Sequence, residues 1–140
     1  MAKISGLGDY VAIDDSGGTL RDISNDITSF TITQGQDLID VTGIDKSARE
    51  RLVGLGDCTV TITGVFNGAA NKSNAVFSNL SGTRTVTYAV GGNTSSNPEL
   101  SMEMLVASYN PNRGSGGAGL TWTANLSLQS GTVPTWGTVA

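Results

Sequence analysis

Four stretches of the chain alternate apolar and polar side chains with a period of two residues, and this pattern constrains the fold most. In the clearest stretch, LTWTANLSLQ, apolar residues at every second position from Leu120 to Leu128 alternate with hydroxyl and amide side chains. Successive side chains of a β-strand point to opposite faces, so each stretch can bury one face and expose the other. The stretches are residues 58–66, 83–90, 99–109 and 120–129. They predict antiparallel strands with one apolar and one hydroxyl-rich face.

Weaker strand patterns occupy the beginning of the chain. Residues 10–13 and 20–23 flank the sequence DDSGG, whose glycines suit a hairpin turn, and residues 29–35 form another strand candidate. A calcium loop at Asp14 and Asp15 is disfavoured, because the ligand spacing and the distant glutamate of such loops are missing. We therefore predict a turn at this position.

One helix is predicted beside the strands. Residues 71–82 place apolar side chains on one side, with Asn71 or Ser73 as the N-cap and Gly82 as the stop signal. The length of 140 residues suits a single domain over residues 1–140, with no composition shift that would mark a boundary. The expected fold is mainly β: an antiparallel β-sandwich or rolled sheet with one flanking α-helix.

The composition favours contact between copies over contact with nucleic acid. Charged residues make up 14% of the chain, against about 25% in an average soluble domain, and 17 Thr and 15 Ser replace them. Hydroxyl groups lose their water at a lower cost than ions do, and the centres of interfaces are poor in charge. The net charge of −4 repels phosphate backbones. The N-terminus has no signal peptide and no segment suits a membrane span, so we expect a soluble intracellular product without a membrane partner.

The residues that usually carry catalysis or metal binding are scarce. Histidine is absent, and Cys58 is the single cysteine, so an internal disulfide and a multi-cysteine metal site are excluded. Cys58 lies in a strand pattern and is expected to be buried. Glu99 and Glu103 would lie about 13 Å apart along a strand, too far for a cooperating carboxylate pair. We predict that the protein is not an enzyme and uses no cofactor or metal.

Residues 37–57 hold eight of the twenty charged side chains, with alternating signs. One interpretation is a solvated short helix around residues 46–53, because Ser47 and Glu50 have capping-box spacing. The other is a loop that joins identical subunits, where paired charges fix register more than they add affinity. A DNA contact is disfavoured, since the basic residues are interleaved with as many acids.

The order of several segments resembles the small tail tube (major tail) proteins of long-tailed bacteriophages. The most specific segments are DVTGIDKSARERLVGL, which leads into TVTITGVFN, and the closing LTWTANLSLQSGTVPTW. The resemblance covers almost the entire chain. It implies a compact β-sandwich with one flanking helix that assembles into hexameric rings, which stack into a tube. Genome DNA would pass through the lumen of that tube during ejection.

The resemblance also assigns roles to residues. An interaction loop at about residues 35–57 would make contacts between rings or subunits. A C-terminal arm at about residues 130–140 would be anchored by Trp136, which is also expected at an interface between rings or subunits. The expected contact residues in the loop are Asp45, Lys46, Arg49, Glu50 and Arg51. The expected lumen-facing residues are Thr59, Thr61, Thr63, Thr121, Thr123 and Asn125. Small, polar, non-basic side chains suit a lumen, because a cationic wall would hold DNA by counterion release.

The implied partners are further copies of the chain, a tape-measure protein, and tail terminator and tip proteins. DNA would be non-specific passing cargo. The implied location is the virion tail, after assembly in the host cytoplasm. Two alternatives stay open: a head-decoration or head-tail connector protein, and a carbohydrate-binding β-sandwich. The carbohydrate-binding alternative requires exposed aromatic side chains on one sheet face. Trp122 alternates with the apolar face and is expected in the core, which leaves Trp136.

Overall fold

A computed structural model of the chain describes residues 7–116 and 119–140. In this part of the chain, eight strands accompany one 3-10 turn and one short α-helix. The strands are β1 (Tyr10–Asp14), β2 (Leu20–Asp22), β3 (Ile27–Asp40), β4 (Arg51–Val65), β5 (Thr83–Ala89), β6 (Pro98–Arg113), β7 (Leu120–Leu128) and β8 (Trp136–Thr138). The 3-10 turn covers Ser24–Asp26, and the helix α1 covers Ser73–Phe77.

All strand pairs are antiparallel, and the strands follow the order β2-β1-β5-β6-β7-β4-β3, with β8 added beside β6. The sheet rolls over on itself: Phe30 of β3 stacks on Tyr88 of β5, although three strands separate β3 from β5 in the sheet. Their ring centroids lie 4.9 Å apart. The predicted mainly β fold, a rolled antiparallel sheet with one flanking helix, is confirmed.

The core lies inside the roll and consists of the apolar residues of the alternating stretches. Fully buried side chains recur at every second position in β4, β6 and β7. They are Cys58, Val60, Ile62, Leu100, Met102, Met104, Trp122, Ala124 and Leu126. The indole of Trp122 packs against Phe77 of α1 at a centroid distance of 5.2 Å and donates its N–H to the Val65 carbonyl. The alternation in the sequence therefore identified the buried face correctly.

At Gly64 the backbone of β4 passes very close to the 3-10 turn and to the Trp122 ring. A Cβ atom at this position would lie 2.0 Å from the Asp26 carbonyl oxygen and 2.8 Å from Cζ2 of Trp122. No rotation of a side chain removes a clash with a backbone carbonyl. Glycine is thus required for β4 to pass beneath the 3-10 turn while the Trp122 ring stays buried.

The helix α1 has its N-terminus capped by a residue from elsewhere in the chain. Its N-cap position is Lys72, which makes no side-chain capping bond, rather than the predicted Asn71 or Ser73. The buried carboxylate of Asp26 accepts a hydrogen bond from the Ser73 backbone N–H at 3.1 Å. Asp26 fills the role of a capping side chain, which satisfies an amide that has no partner within the helix.

Arg84, on β5, fixes the other end of the helix. The residue is fully buried, and its guanidinium donates to four carbonyl oxygens: those of Asp14, Val76, Asn79 and Ser81. Burial lowers the pKa of Arg84 from its ordinary value. Its hydrogen bonds connect the C-terminal end of α1 and the loop that follows with β1. The helix ends at Phe77, before the predicted stop at Gly82.

The predicted helix around residues 46–53 is wrong. Residues 41–50 form turns and bends, and β4 already begins at Arg51. Asp40, Ile39 and Leu38 pair with Arg51, Leu52 and Val53, so the ladder with β3 provides the backbone partners that one isolated helical turn would lack. Most of the range predicted as a loop, residues 35–57, is therefore a β-hairpin. None of the helices in the described ranges is long and apolar enough to cross a membrane.

Candidate functional site

Strands β3 and β4 extend beyond the rest of the sheet. Strand β7 pairs with β4 from Thr59 onwards, so the preceding part of β4 pairs with β3 alone. We call residues 36–56 the projecting hairpin. It begins at a β-bulge, where the pair Gln36 and Gly56 is followed by Leu38 and Val53, with one extra residue on β4.

The projecting hairpin exposes large apolar side chains on both of its faces. Leu38 lies opposite Val53, and the adjacent pair, Ile39 and Leu52, points to the other face. Leu55 is 82% exposed, and Ile44 at the tip is fully exposed. The exposed set is Leu38, Ile39, Val41, Ile44, Leu52, Val53 and Leu55. Half of the fourteen large apolar side chains that are exposed in the described residues thus lie in this one element.

The five charged residues predicted for the contact loop lie together around the tip of the hairpin, and all are exposed. Arg49 makes a 2.6 Å ion pair with Asp40, and Lys46 lies 3.9 Å from Asp45. Glu50 donates its backbone N–H to the Thr42 hydroxyl, and Arg51 opens β4 opposite Asp40. The structure thus brings the five predicted residues together at one exposed turn. The sequence prediction, with its emphasis on charge, missed the apolar residues, although Leu38-Ile39 and Leu52-Val53 break the alternation visibly.

Hydrogen bonds hold the tip of the hairpin in shape. The Asp40 carboxylate accepts from the Thr42 hydroxyl at 2.5 Å, from the Thr42 backbone N–H at 3.0 Å, and from Arg49. These three interactions, with the Thr42 hydroxyl first, lower the pKa of Asp40 below its ordinary value. The turn is thereby organised before any partner binds.

The predicted lumen residues form one continuous patch on the outer side of the sheet. Thr59, Thr61 and Thr63 of β4 lie directly opposite Ser127, Asn125 and Thr123 of β7. On the other side of β4 they lie opposite residues of β3. The resulting hydroxyl face consists of Ser29, Thr31, Thr33, Thr59, Thr61, Thr63, Thr123, Asn125 and Ser127. None of these side chains is charged. The sequence prediction did not include the three β3 residues.

Side-chain hydrogen bonds link the hydroxyl face across the strands. The Thr61 hydroxyl donates to Asn125 Oδ1 at 3.1 Å, and Asn125 Nδ2 donates to the Ser108 hydroxyl of β6 at 3.0 Å. Thr121, the remaining predicted residue, lies at the end of the patch, opposite Val65 and Asn112. The structure thus brings all six predicted residues onto one neutral surface.

The C-terminal arm, residues 130–140, lies on its own subunit. Strand β8 pairs with the beginning of β6, where Trp136 lies opposite Leu100. The Trp136 indole N–H donates to Gln34 Oε1 at 3.0 Å, and its ring approaches Tyr88 edge-on at a centroid distance of 6.4 Å. Trp136 remains 48% exposed. The arm is therefore seated within the subunit and still presents part of an aromatic ring outwards.

An open cleft separates the two ends of the rolled sheet. Its volume is about 530 Å³, and its lining includes Asp9, Val11, Ile27, Phe30 and Tyr88. The Tyr88 hydroxyl donates to the Asp9 carboxylate. Burial, followed by this hydrogen bond and the charge of Asp9, raises the pKa of Tyr88 to about 12. On the β3 side of the cleft, none of the described strands pairs with the outer edge of β3.

Other candidate sites have structural roles. Asp15 accepts hydrogen bonds from Gly17 and Thr19 and pairs with Arg21, which is the arrangement of a hairpin turn. Glu103 accepts from the Thr85 hydroxyl at 2.6 Å. No group of three or more potential metal ligands occurs in the described ranges. The hydroxyl face carries no aromatic side chain, so nothing on it resembles a carbohydrate platform.

The sequence matches no protein-family model and no curated protein sequence. Solved structures, in contrast, match along nearly the whole chain. A chain from the tail of an empty gene transfer agent particle, refined with C6 symmetry, has a TM-score of 0.71 at 16% identity, covering 99% of this chain and 100% of that one. A chain of the SPP1 tail tube has a TM-score of 0.72 at 10% identity, covering 97% and 80%. This chain has the tail tube fold.

The tail tube fold also extends to contractile systems. A chain from the sheath/tube terminator structure of an extracellular contractile injection system has a TM-score of 0.70 at 9% identity, covering 98% of each chain. Identities this low show a shared architecture. The resemblance drawn from the sequence is thus confirmed at the level of the fold.

Proposed function

We propose that this chain is a structural subunit that self-assembles into stacked hexameric rings, which form the tail tube of a phage-like particle. The projecting hairpin carries this proposal. Leu38 and Val53 on one face, and Ile39 and Leu52 on the other, are exposed in the single subunit. Full burial of such a side chain contributes about 1.5–3 kcal/mol. The exposed apolar surface is therefore a strong driving force for association.

The two-faced character of the hairpin sets the kind of assembly. A single flat partner covers one face, so covering both requires at least two neighbouring copies around each hairpin. We propose a heterologous contact, in which the hairpin would meet a different surface on its neighbour. Such contacts close into rings or continue as filaments. The C6 symmetry of the gene transfer agent tail supports six copies in each ring.

Strand β3 offers a second contact, within the ring. It is 14 residues long, and among the described strands it pairs with β4 alone. A long free edge of this kind can pair with a strand from another copy. Lateral pairing at β3 would join neighbouring sheets into one barrel, and the hairpin would then reach the adjacent ring.

The hydroxyl face is proposed to line the lumen, with Thr59, Thr61, Thr63, Thr121, Thr123 and Asn125 towards the bore. Its neutrality suits the passage of DNA, because contacts between basic side chains and phosphates would release counterions and hold the strand. DNA is then passing cargo and no sequence is read. The role is structural rather than catalytic.

The remaining partners follow from the role. The protein would be located in the virion tail, after assembly in the host cytoplasm. A tape-measure protein would occupy the bore during growth, and terminator and tip proteins would cover the two tube ends. These partners are proposed on the basis of the fold and of the resemblance of the sequence.

Electron microscopy of the purified protein tests the proposal directly. We expect stacked rings or tubes with an open bore in negative stain. Trimers or single rings at all concentrations would instead indicate a decoration or connector protein. A monomer that binds glycans and never assembles would contradict the proposal outright.

Substitutions on each face of the hairpin test whether neighbouring copies cover both faces. Leu52→Asp and Val53→Asp each place a charge on a different face, and each is expected to abolish tubes while the circular dichroism of the monomer is unchanged. Leu80→Asp is the matched control, because Leu80 is 46% exposed and Leu52 57% exposed, but Leu80 lies outside the hairpin. Normal tubes from either hairpin variant would show that one face stays uncovered.

Charge reversal at the tip tests the register role. Arg49→Glu with Arg51→Glu is expected to block tube growth without unfolding the subunit, because both residues are exposed. If tubes grow normally, the charged tip is a solvated surface. The apolar faces would then account for the contact by themselves.

A further inference from the structure

We infer that the C-terminal arm is an intramolecular brace that sets the angle of the projecting hairpin. The inference builds on the proposed function of the hairpin and assigns a positioning role to four residues: Gln34, Gly56, Val133 and Trp136. The arm contacts both strands of the hairpin at its bulge, where the ribbon leaves the sheet.

The contact with β3 uses both polar atoms of one amide. Gln34 Oε1 accepts from the Trp136 indole N–H at 3.0 Å, and Gln34 Nε2 donates to the Pro134 carbonyl at 3.4 Å. Gln34 stands two residues before Gln36, where the bulge begins. A side chain that is held from two sides fixes the local direction of β3.

The contact with β4 is a close fit of a valine onto a glycine. A Cβ atom at Gly56 would lie 2.5 Å from Cγ2 of Val133, so the valine methyl occupies the space that any other residue would need. Gly56 pairs with Gln36 at the bulge itself. The arm thus touches the second strand at the same level as the first.

The other end of the arm is fixed in the body of the subunit. Strand β8 pairs with Pro98–Leu100 of β6, and Val139 donates its backbone N–H to the Asn97 carbonyl at 2.9 Å and accepts from the Ser96 N–H. The Trp136 ring also meets Tyr88 of β5. A segment anchored in the body and attached to both strands at a pivot acts as a strut.

The hairpin needs such a strut for a physical reason. A two-stranded ribbon has little rigidity of its own, and a bulge adds bend and twist. If the hairpin moved freely, each docking event would have to order it, which reduces affinity. The brace fixes the hairpin beforehand, so both apolar faces are presented at one angle.

Hydrogen–deuterium exchange on the free, full-length chain tests the brace independently of tube formation. Gln34→Ala and Trp136→Ala are each expected to raise exchange in residues 36–56 about fivefold, as for the loss of a hydrogen-bonded contact, while residues 122–126 stay protected. Gln36→Ala is the control, since Gln36 lies on the same strand without a bond to the arm. Unchanged hairpin exchange in the two variants would overturn the inference.

Two compensating substitutions test the contact between Gly56 and Val133 at the bulge. Gly56→Ala is expected to displace Val133 and mobilise the hairpin, and adding Val133→Ala is expected to reverse most of that effect by making room. Equal exchange in Gly56→Ala and wild type would argue against the brace. Because the readout is made on single subunits, a wild-type chain that forms no tubes would refute the proposed function and leave the brace standing.

Discussion

Strands β3 and β4 pass through two environments along their length. Near the body, Phe30, Ile32 and Ile62 pack on the core from one face, while threonines occupy the other. Beyond the bulge, large apolar residues occupy both faces and are exposed. The same pair of strands therefore contributes to the core at one end and exposes apolar surface at the other. Substitutions in the body should change unfolding, whereas substitutions in the hairpin should change association.

The largest effect is expected for Trp122→Ala in the body. The ring is fully buried against Phe77 and Tyr109, and its removal leaves a cavity as well as an unpaired Val65 carbonyl. We expect a loss of about 3–5 kcal/mol in the free energy of unfolding, measured by urea denaturation. Trp136→Ala in the arm should cost much less, because that ring is half exposed. If Trp122→Ala and Trp136→Ala lower the free energy of unfolding by similar amounts, the expected difference between the body and the arm is wrong.

Arg84→Met is expected to rank next. The methionine fills part of the volume, but four carbonyl groups of α1, the loop that follows it and β1 lose their donor, at a combined cost of about 3 kcal/mol. The matched control is Arg21→Met, which removes a partly exposed ion pair with Asp15 and should cost less than about 1 kcal/mol. If both variants lose the same stability in urea denaturation, the buried guanidinium does not hold the helix.

A smaller change in the free energy of unfolding is expected when Tyr88, in the body of the subunit, is titrated at alkaline pH. The folded pKa of Tyr88 is about 12, above the ordinary value near 10, so the native state favours the neutral phenol. This contribution is fully present below about pH 10 and is lost as the pH rises towards 12. Tyr88→Phe should flatten that part of the stability profile in urea denaturation. Parallel profiles for the variant and the wild type would contradict the assignment.

The smallest effect is expected at the hairpin tip in acid. The folded pKa of Asp40 is below its ordinary value, so its stabilising contribution is present above about pH 4 and is lost as the pH falls below that. The amide protection factors of residues 41–50, which correct for the intrinsic effect of pH on exchange, should therefore fall in acid, while those of the body do not. Asp40→Asn should remove this pH dependence, whereas Asp45→Asn, at a residue with one distant lysine partner, should retain it.

The parts of the fold that could be read from the sequence are those that depend on local order. The alternation in β4 to β7 identified the core, because a period of two fixes which side chains share a face. The capping of α1 could not be read, since Asp26 lies 47 residues before Ser73. The predicted helix at residues 46–53 failed because capping-box spacing is a signal within one segment, whereas Arg51–Val53 are extended by pairing with Leu38–Asp40 across the hairpin.

For the candidate surfaces, too, the sequence predicted what depends on local order and missed what depends on pairing between strands. The residues proposed to face the lumen share one face because strand alternation puts them on the polar side. The register of β4 with β7 then places Thr59, Thr61 and Thr63 opposite Ser127, Asn125 and Thr123. The segment proposed to make contacts between subunits was predicted from its charge. Its stronger feature is the consecutive apolar residues at 38–39 and 52–53, which the structure shows to be exposed among the described residues.

The two-faced hairpin has a consequence for how growth stops. In a tube built by clamping each hairpin between neighbours, the last ring always keeps one set of apolar faces in water, however long the tube becomes. Each end of the tube would then bind further subunits as strongly as the first ring did. In such a tube the subunit itself would not encode the length, and a separate molecule would have to cover the final apolar faces without presenting a new hairpin.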